Sequence, residues 1–435
     1  MKLLLIQPAP FTGKHDNSFH LLNYLARKNY FTVPPISLGI LAALTPSSWD
    51  VRIIQEPHQQ VHFDEAADLV GITANTSNVL RGYRIADEFR LRGVAVIMGG
   101  IHPTVRVDEA LEHCDSVCIG EGELVWGDVL EDLQHKRLRK KYKAETYFNM
   151  QEYVPPRRDL MTSSNSLFYS AATLETSRGC PYNCDFCSVS ISHGNRIRYR
   201  SPEGVVEEIS GIGRKKFFFV DNNIVADHRK AKELFRSLIP LKIKWSGQAT
   251  ISVADDPQLL KYAVDSGCHG LLIGIENITD EGLNKYKKSK KDFQTLKASV
   301  RILNEHGIAI LAHMVFGNDF DTRDSIVETL DRLCELDVAS ATLGIMVPYP
   351  GTKLAEDLEK ENRILTKNWN LYDIHHLVFQ PKNFTPEEFI EDIQRLRNQY
   401  FTMGKMLSRT IKCRKPVILG FNLSSKSHNR VGLAI

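Results

Sequence analysis

The sequence predicts an α/β protein with two parallel sheets in series: an open, doubly wound sheet, then a partial (β/α)6 barrel of the TIM type, then a small, mostly helical C-terminal region. Three observations predict it. Short β-branched runs alternate with amphipathic stretches over the first 135 residues, the alternation lapses between 136 and 170, and it resumes from 171 with six further repeats. The expected division is 1–135, a linker 136–170, the barrel 171–350 and a helical region 351–435.

In the first domain the apolar runs fall at 2–6, 50–54, 68–72, 94–98 and 116–119, each the length of a buried strand. In a Rossmann-like sheet of this kind ligands sit beyond the carboxyl ends of the strands. Those ends are rich in turn residues: QPAP from Gln7, TANTSN from Thr73, GGIHPT from Gly99 and GEGE from Gly120. The edge is expected to hold a ligand. The linker is marked by Pro155-Pro156, Arg157-Arg158 and a polar run at 162–166. Barrel strands are expected at 171–176, 215–221, 243–250, 270–276, 308–316 and 339–347, with helices near 202–210, 227–238, 255–266, 292–306 and 323–336. Six units are two short of a full barrel, and chemistry belongs at the C-terminal ends of the strands. Helices at 352–362 and 385–408 follow Pro350-Gly351-Thr352, and the stretch from Lys412 carries no functional signal.

Composition narrows the class. With 43% hydrophobic and 25% charged residues the chain can bury an ample core. A net charge of +3 does not argue for a nucleic-acid partner, and the one basic run, HKRLRKKYK at 135–143, reads as a solvated helix end. No apolar run reaches the roughly 18 residues of a membrane span, and MKLLLIQPAPF reads as a buried strand rather than a signal peptide. Three of the eight cysteines lie within eight positions, unlike a secreted disulfide framework, so a reducing cytoplasm is expected.

Those three are Cys180, Cys184 and Cys187, spaced C-x3-C-x2-C on the loop after the first barrel strand. Thiolates suit zinc or an iron-sulfur cluster. A structural zinc wants four ligands, commonly as two pairs, and no second pair follows; His193 stands at a spacing that matches no common finger. Three cysteines instead leave one iron of a 4Fe-4S cube open to a small chelating ligand. Cys114, Cys118, Cys268, Cys334 and Cys413 are scattered and read as small buried hydrophobes.

A C-x3-C-x2-C loop with Phe186 just before its last cysteine, after the first strand of a six-unit barrel, resembles the radical S-adenosylmethionine (SAM) superfamily. The resemblance implies that Cys180, Cys184 and Cys187 hold a 4Fe-4S cluster, that SAM chelates the open iron, and that an electron cleaves SAM to a 5'-deoxyadenosyl radical. By position Phe186 would lie near the adenine. Where the family commonly carries Gly-Gly-Glu at the second strand this chain has VDNN, which places Asp221 and Asn222 at the methionyl amine. Glu276 matches the ribose-binding acid, and Gln248, Gly317, Val347 and Pro348 complete the implied SAM contacts.

The doubly wound domain ahead of such a barrel resembles the cobalamin-binding branch of that superfamily, a likeness that spans about residues 1–360 of the chain and rests on VPPISLGILAAL, LVGITANTSN, GGIHPT and IGEGE in order. Implied cobalamin contacts are Gln7, Pro8, Thr73, Asn75, Thr76, Ser77, Gly99, Gly100, His102, Pro103, Thr104, Gly120, Glu121, Gly122 and Glu123. The chemistry is apt: glycines let backbone approach a broad corrin ring, and hydroxyls and amides can bond its side arms. A dinucleotide needs GxGxxG after the first strand, where QPAPFTG stands. The D-x-H-x-x-G motif that places a histidine beneath cobalt is absent, and DIHHLV at 373–378 lacks its glycine. His102 is therefore expected at a turn or at the cofactor tail, with Asn75 or Thr76 nearest the lower face of the cobalt.

The leading expectation is a cobalamin-dependent radical SAM methyltransferase acting on an unactivated carbon of a small-molecule, lipid or natural-product substrate. It would be served by a one-electron reductase of flavodoxin or ferredoxin type. The alternative keeps both cofactors but catalyses a cyclisation or rearrangement; a non-catalytic cobalamin or iron-sulfur sensor ranks last. Trp369, Tyr372, His375, His376 and Phe379 are the notable side chains beyond the barrel, with ordinary packing as their favoured role.

Overall fold

The computed structural model describes residues 1–10, 35–56, 58–161, 172–286, 292–413, 415, 417–427 and 432–433. Residues 11–13 of QPAPFTG, Val33 and Pro34, the polar run 162–166 and Ala171 lie outside the described residues. Strands β1 (Lys2–Gln7), β2 (Asp50–Gln55), β3 (Leu69–Thr73), β4 (Ala95–Gly99), β5 (Ser116–Ile119) and β6 (Lys141–Lys143) form a parallel sheet in the order β2-β1-β3-β4-β5-β6. Helices cover both faces, so a strand can be apolar throughout. In β1, Leu4 and Ile6 pack with Ile85 and Phe89 on one side, while Leu3 and Leu5 pack with Leu38 and Trp126 on the other. The order reverses between β1 and β3, which is where such a sheet opens a crevice.

The sixth strand corrects the reading of the basic run as a helix end. Only His135 caps the helix Trp126–Gln134; Arg137 and Arg139 turn back to pair with Asp132, and Lys141–Lys143 pairs with β5. Tyr142 supplies the reason, being buried between two exposed lysines with its hydroxyl on Asp132. Lysines on the outer strand also shield the sheet edge from further pairing.

The second sheet holds β7 (Ala172–Leu174), then, after a short antiparallel hairpin of β8 (Ser177–Arg178) and β9 (Arg198–Tyr199), β10 (Lys216–Phe219), β11 (Lys244–Ala249), β12 (Cys268–Glu276), β13 (Ala309–Phe316) and β14 (Ser340–Ile345). Its order, β14-β13-β12-β11-β10-β7, is sequential and parallel, as a partial (β/α)6 barrel requires. The intervening helices start where the sequence says they should: Asp227, Asp256, Asp292 and Thr322 each accept a backbone N–H with the side chain at the first turn. Along β13 the residues Ile310, Ala312, Met314 and Phe316 bury against these helices. The half-buried alternates, Leu311, His313 and Val315, share the opposite, inner face.

Beyond the barrel the expected helix at 385–408 is two helices, Pro386–Tyr400 and Met403–Cys413, interrupted at Phe401 and Thr402. Trp369 and Tyr372 bury into the core of the first sheet, and Phe379 into that of the barrel. Among the described residues no helix is long and apolar enough to cross a membrane.

Candidate active site

A cavity of about 580 Å3 lies between the carboxyl ends of the two sheets. The first sheet contributes Thr73, Asn75, Thr76 and Ser77 after β3, Gly99, Gly100 and Thr104 after β4, and Gly120, Glu121, Gly122 and Glu123 after β5. Leu38 and Leu41 of the helix Ile36–Leu44 add an apolar wall. The barrel side contributes Glu175 and Arg178, Ser188, Val189, Ser192 and His193, Asn222, and Tyr349 with Pro350. One wall is hydroxyl- and glycine-rich and the other carries charge. Gly120 shows what the glycines do: its φ is +85° and a Cβ there would meet nothing within 4 Å, so the backbone itself faces open space.

Four expected cobalamin contacts are not on this wall. His102 is fully buried, its Nδ1 3.3 Å from Thr76 Oγ1 and its Nε2 3.4 Å from Glu109 Oε1. Trp369 closes over it with ring centroids 5.1 Å apart. The turn signal in GGIHPT is real, but the imidazole points into the protein. Pro103 is buried beside it, and Gln7 and Pro8 lie at the end of β1, where Asn78 Nδ2 donates to the Pro8 carbonyl at 3.1 Å.

Cys180, Cys184 and Cys187 are half-buried on one loop, none in a disulfide. Cys187 N donates to Cys184 O at 3.0 Å, and Leu354 N holds the loop through Asp185 O at 2.9 Å. At the root of the loop Gly179 has φ +96°, and a Cβ there would lie 2.3 Å from Arg196 O, so the chain turns into the loop only through glycine. Among the described residues no three His, Cys, Asp or Glu side chains converge on a single ion. Three thiolates on one loop suit three corners of a 4Fe-4S cube and leave its fourth iron open. Of the other cysteines, Cys114, Cys118 and Cys268 are buried, and burial pushes each thiol up to about 12. Cys334 is exposed and Cys413 half-buried, against the expectation for both.

The implied SAM residues are dispersed. Phe186 meets Tyr286 edge-on at 5.8 Å and packs on the barrel core. Asp221 is buried and accepts from Thr176 N, Thr176 Oγ1 and Ser177 Oγ, so its carboxylate ties down the end of β7 rather than facing the cavity. Burial pushes it up to about 6 against those hydrogen bonds. Asn222 does face the cavity. Gln248 lies in register with Leu272 and Leu311 on the inner face. Glu276 is buried at the end of β12 with φ +66°. Gly317 donates to Asp321 Oδ2 at 2.8 Å, and its open side is taken by Phe379. Val347 packs into the core of the first sheet, and Pro348 is buried next to it.

Sequence reasoning named Glu121 and Glu123 as cobalamin contacts but missed their partners, Arg178 and Arg198. Glu121 is buried and receives Arg178 Nη1 at 3.1 Å, Arg198 Nη1 and Nη2 at 2.8 and 2.9 Å, and Phe148 N at 2.6 Å. Burial alone would raise this carboxyl; the His193 ring beside it, the hydrogen bonds from Arg198, the charge of Arg178 and the Phe148 N–H outweigh it and bring it down to about 2. His313, level with Gly274 and Thr342 on the inner face, and Tyr349 on the cavity wall were also missed. The period-two alternation of β13 was enough to find His313.

Comparison with known proteins agrees with this layout. Residues 174–333 match the model of the Radical SAM superfamily, and residues 23–130 match that of the B12 binding domain. The chain is a cobalamin-binding radical SAM protein. Its cofactors are accordingly a 4Fe-4S cluster, SAM and cobalamin. This radical SAM protein is similar to Bacteriochlorophyllide d C-12(1)-methyltransferase of Chlorobaculum tepidum, with 29% identity over 86% of this chain and 84% of that one. It is also similar to Bacteriochlorophyllide d C-8(2)-methyltransferase of the same organism, with 27% identity over 90% and 91%. The cobalamin-dependent radical enzyme OxsB shares the fold, with TM-score 0.70 and 16% identity over 98% of this chain and 71% of that one.

Proposed function

We propose that this radical SAM protein is a methyltransferase that places a methyl group on an unactivated carbon of a small molecule with an apolar skeleton. The observation that carries the reading is the shared cavity: B12-type turns form one wall, and the helix Val189–His193, directly after the cysteine loop, forms the other. A cobalamin seated against the first wall would face the loop that carries the cluster. Two relatives named for methyl transfer to a tetrapyrrole pigment support it, and they make macrocyclic pigments the first compounds to test.

Cys180, Cys184 and Cys187 are assigned to the cluster, and Thr73, Asn75, Thr76, Ser77, Thr104 and the glycines of the three turns to the cobalamin. When bound, the cluster with SAM supplies a hydrogen-abstracting radical and the cobalamin supplies the transferable methyl group. The chain's part is to bind, to orient and to keep water from the reacting carbon. Glycine backbone admits a wide ring, the hydroxyls fix its rim, and Leu38 and Leu41 cover an apolar face. A ferredoxin- or flavodoxin-type protein would deliver single electrons, in the cytoplasm, with no nucleic-acid partner.

Anaerobic reconstitution with iron, sulfide and hydroxocobalamin, followed by SAM, reductant and substrate, tests the reading. S-adenosylhomocysteine formed together with 5'-deoxyadenosine is expected; deoxyadenosine alone would point to a rearrangement instead. Cys184→Ala should abolish cluster absorption and SAM cleavage while cobalamin still binds, and retention of both activities would refute the ligand assignment. His102→Ala should leave the visible spectrum of the bound cobalamin unchanged; loss of an imidazole signature would return His102 to the cobalt.

A further inference from the structure

The cysteine loop leaves from β8 and returns to β9, so the two-residue strands of this hairpin are its base. β8 ends in an arginine and β9 begins with one, and both reach the first sheet. Arg178, two residues before Cys180, donates Nη1 to Glu121 Oε1 at 3.1 Å and Nη2 to Glu123 Oε1 at 2.6 Å. Its Nε and Nη2 also reach Glu175, at 3.0 and 2.9 Å. Arg198, across the hairpin, chelates both oxygens of Glu121 at 2.8 and 2.9 Å. The His193 ring stands 3.8 Å from the same carboxylate. Side chains of Arg178, Glu121 and Glu123 are 6%, 4% and 7% exposed, so these ion pairs are shielded from water and salt.

Glu121 and Glu123 belong to the turn after β5 that forms part of the cavity wall. One short turn thus lines the place assigned to cobalamin and grips both ends of the loop assigned to the cluster. Bidentate arginine–carboxylate pairs fix direction as well as distance. Ordinary packing would hold the two sheets together without so many charges at this one point.

We propose that Glu121 and Arg178 are positioning residues that lock the cysteine loop to the cobalamin cavity, setting the separation of the two metal centres rather than the affinity for either. The proposal rests on the cofactor placement given under the proposed function.

Electron paramagnetic resonance of the holoprotein, with cobalt as cob(II)alamin and the cluster reduced by one electron, reads the coupling between the two centres. Glu121→Gln and Arg178→Lys are each expected to keep full iron and cobalt content. Both should broaden or weaken the coupling, and both should raise the deoxyadenosine released per product on the order of ten- to a hundredfold. Unchanged coupling at full cofactor content overturns the proposal, as does loss of iron or cobalt from either variant, which would give these residues a part in affinity. If Glu121→Gln does not fold, Arg178→Lys, which keeps the charge, carries the same comparison. Absence of coupling in the unaltered protein would instead refute the cofactor placement, so the two failures are distinguishable.

Discussion

Glu121 follows β5 in the first sheet and Asp221 follows β10 in the second, and both are buried, at 7% and 1% exposure. They are displaced in opposite directions. Burial favours the neutral acid in each, but Glu121 has two guanidiniums and is brought down to about 2, while Asp221 has only hydroxyls and a backbone N–H and stays up at about 6. Burial therefore does not decide the charge of a strand-end carboxyl; the presence of a cation beside it does. The first sheet uses its acid to grip another part of the chain, and the barrel uses its acid to finish its own first strand.

The largest expected effect comes from breaking the Glu121 side. Glu121→Ala would leave Arg178 and Arg198 without their shared counter-charge and should cost about 3–5 kcal/mol in denaturant unfolding at pH 7. A loss below 1 kcal/mol would mean that water reaches the pair. Because the native carboxyl titrates near 2, below its usual 4.5, its contribution is fully present above about pH 4.5 and is lost as pH falls toward 2.

Asp221 has the opposite sign. A native value near 6 against the usual 3.8 means that the folded state loses stability as pH rises from about 4 to 6. Asp221→Asn removes that ionisation, so the variant should gain on the unaltered protein across this window by on the order of 3 kcal/mol. Unfolding measured at pH 4, 5, 6 and 7 would show the divergence, and parallel curves would place a cation near Asp221 in solution. The smallest effect belongs to Gly120→Ala: about 1 kcal/mol of backbone strain at φ +85°, with a several-fold weaker hold on cobalamin by equilibrium dialysis. Equal affinity would remove this turn from the binding wall.

Fold and site were legible to different depths. Buried parallel strands repeat as apolar runs and helix starts carry local capping residues, so both sheets and most helices could be read from neighbours in sequence. The strand Lys141–Lys143 could not, because one buried Tyr142 makes no pattern. The turns after β3, β4 and β5 were readable for the same local reason, glycine and hydroxyl residues at strand ends. Long-range partners were not. His102 looked like a ligand contact until Trp369 closed over it, and Trp369 bonds Glu109 from 260 residues away. Arg178 finds Glu121 across 57 residues, a pairing that no spacing rule encodes.

That return of Trp369 to the first sheet has a mechanical meaning. The chain crosses from first sheet to barrel through the segment after β6, and then comes back, with Trp369 Nε1 on Glu109 Oε1 at 2.7 Å and the Arg106 guanidinium 5.4 Å from the indole ring centre. A body joined at one seam can swing about it; the Trp369 return, added to the Glu121 ion pairs, removes that freedom. Substrate and spent SAM would then pass by movement of side chains and short turns rather than by separation of the two halves.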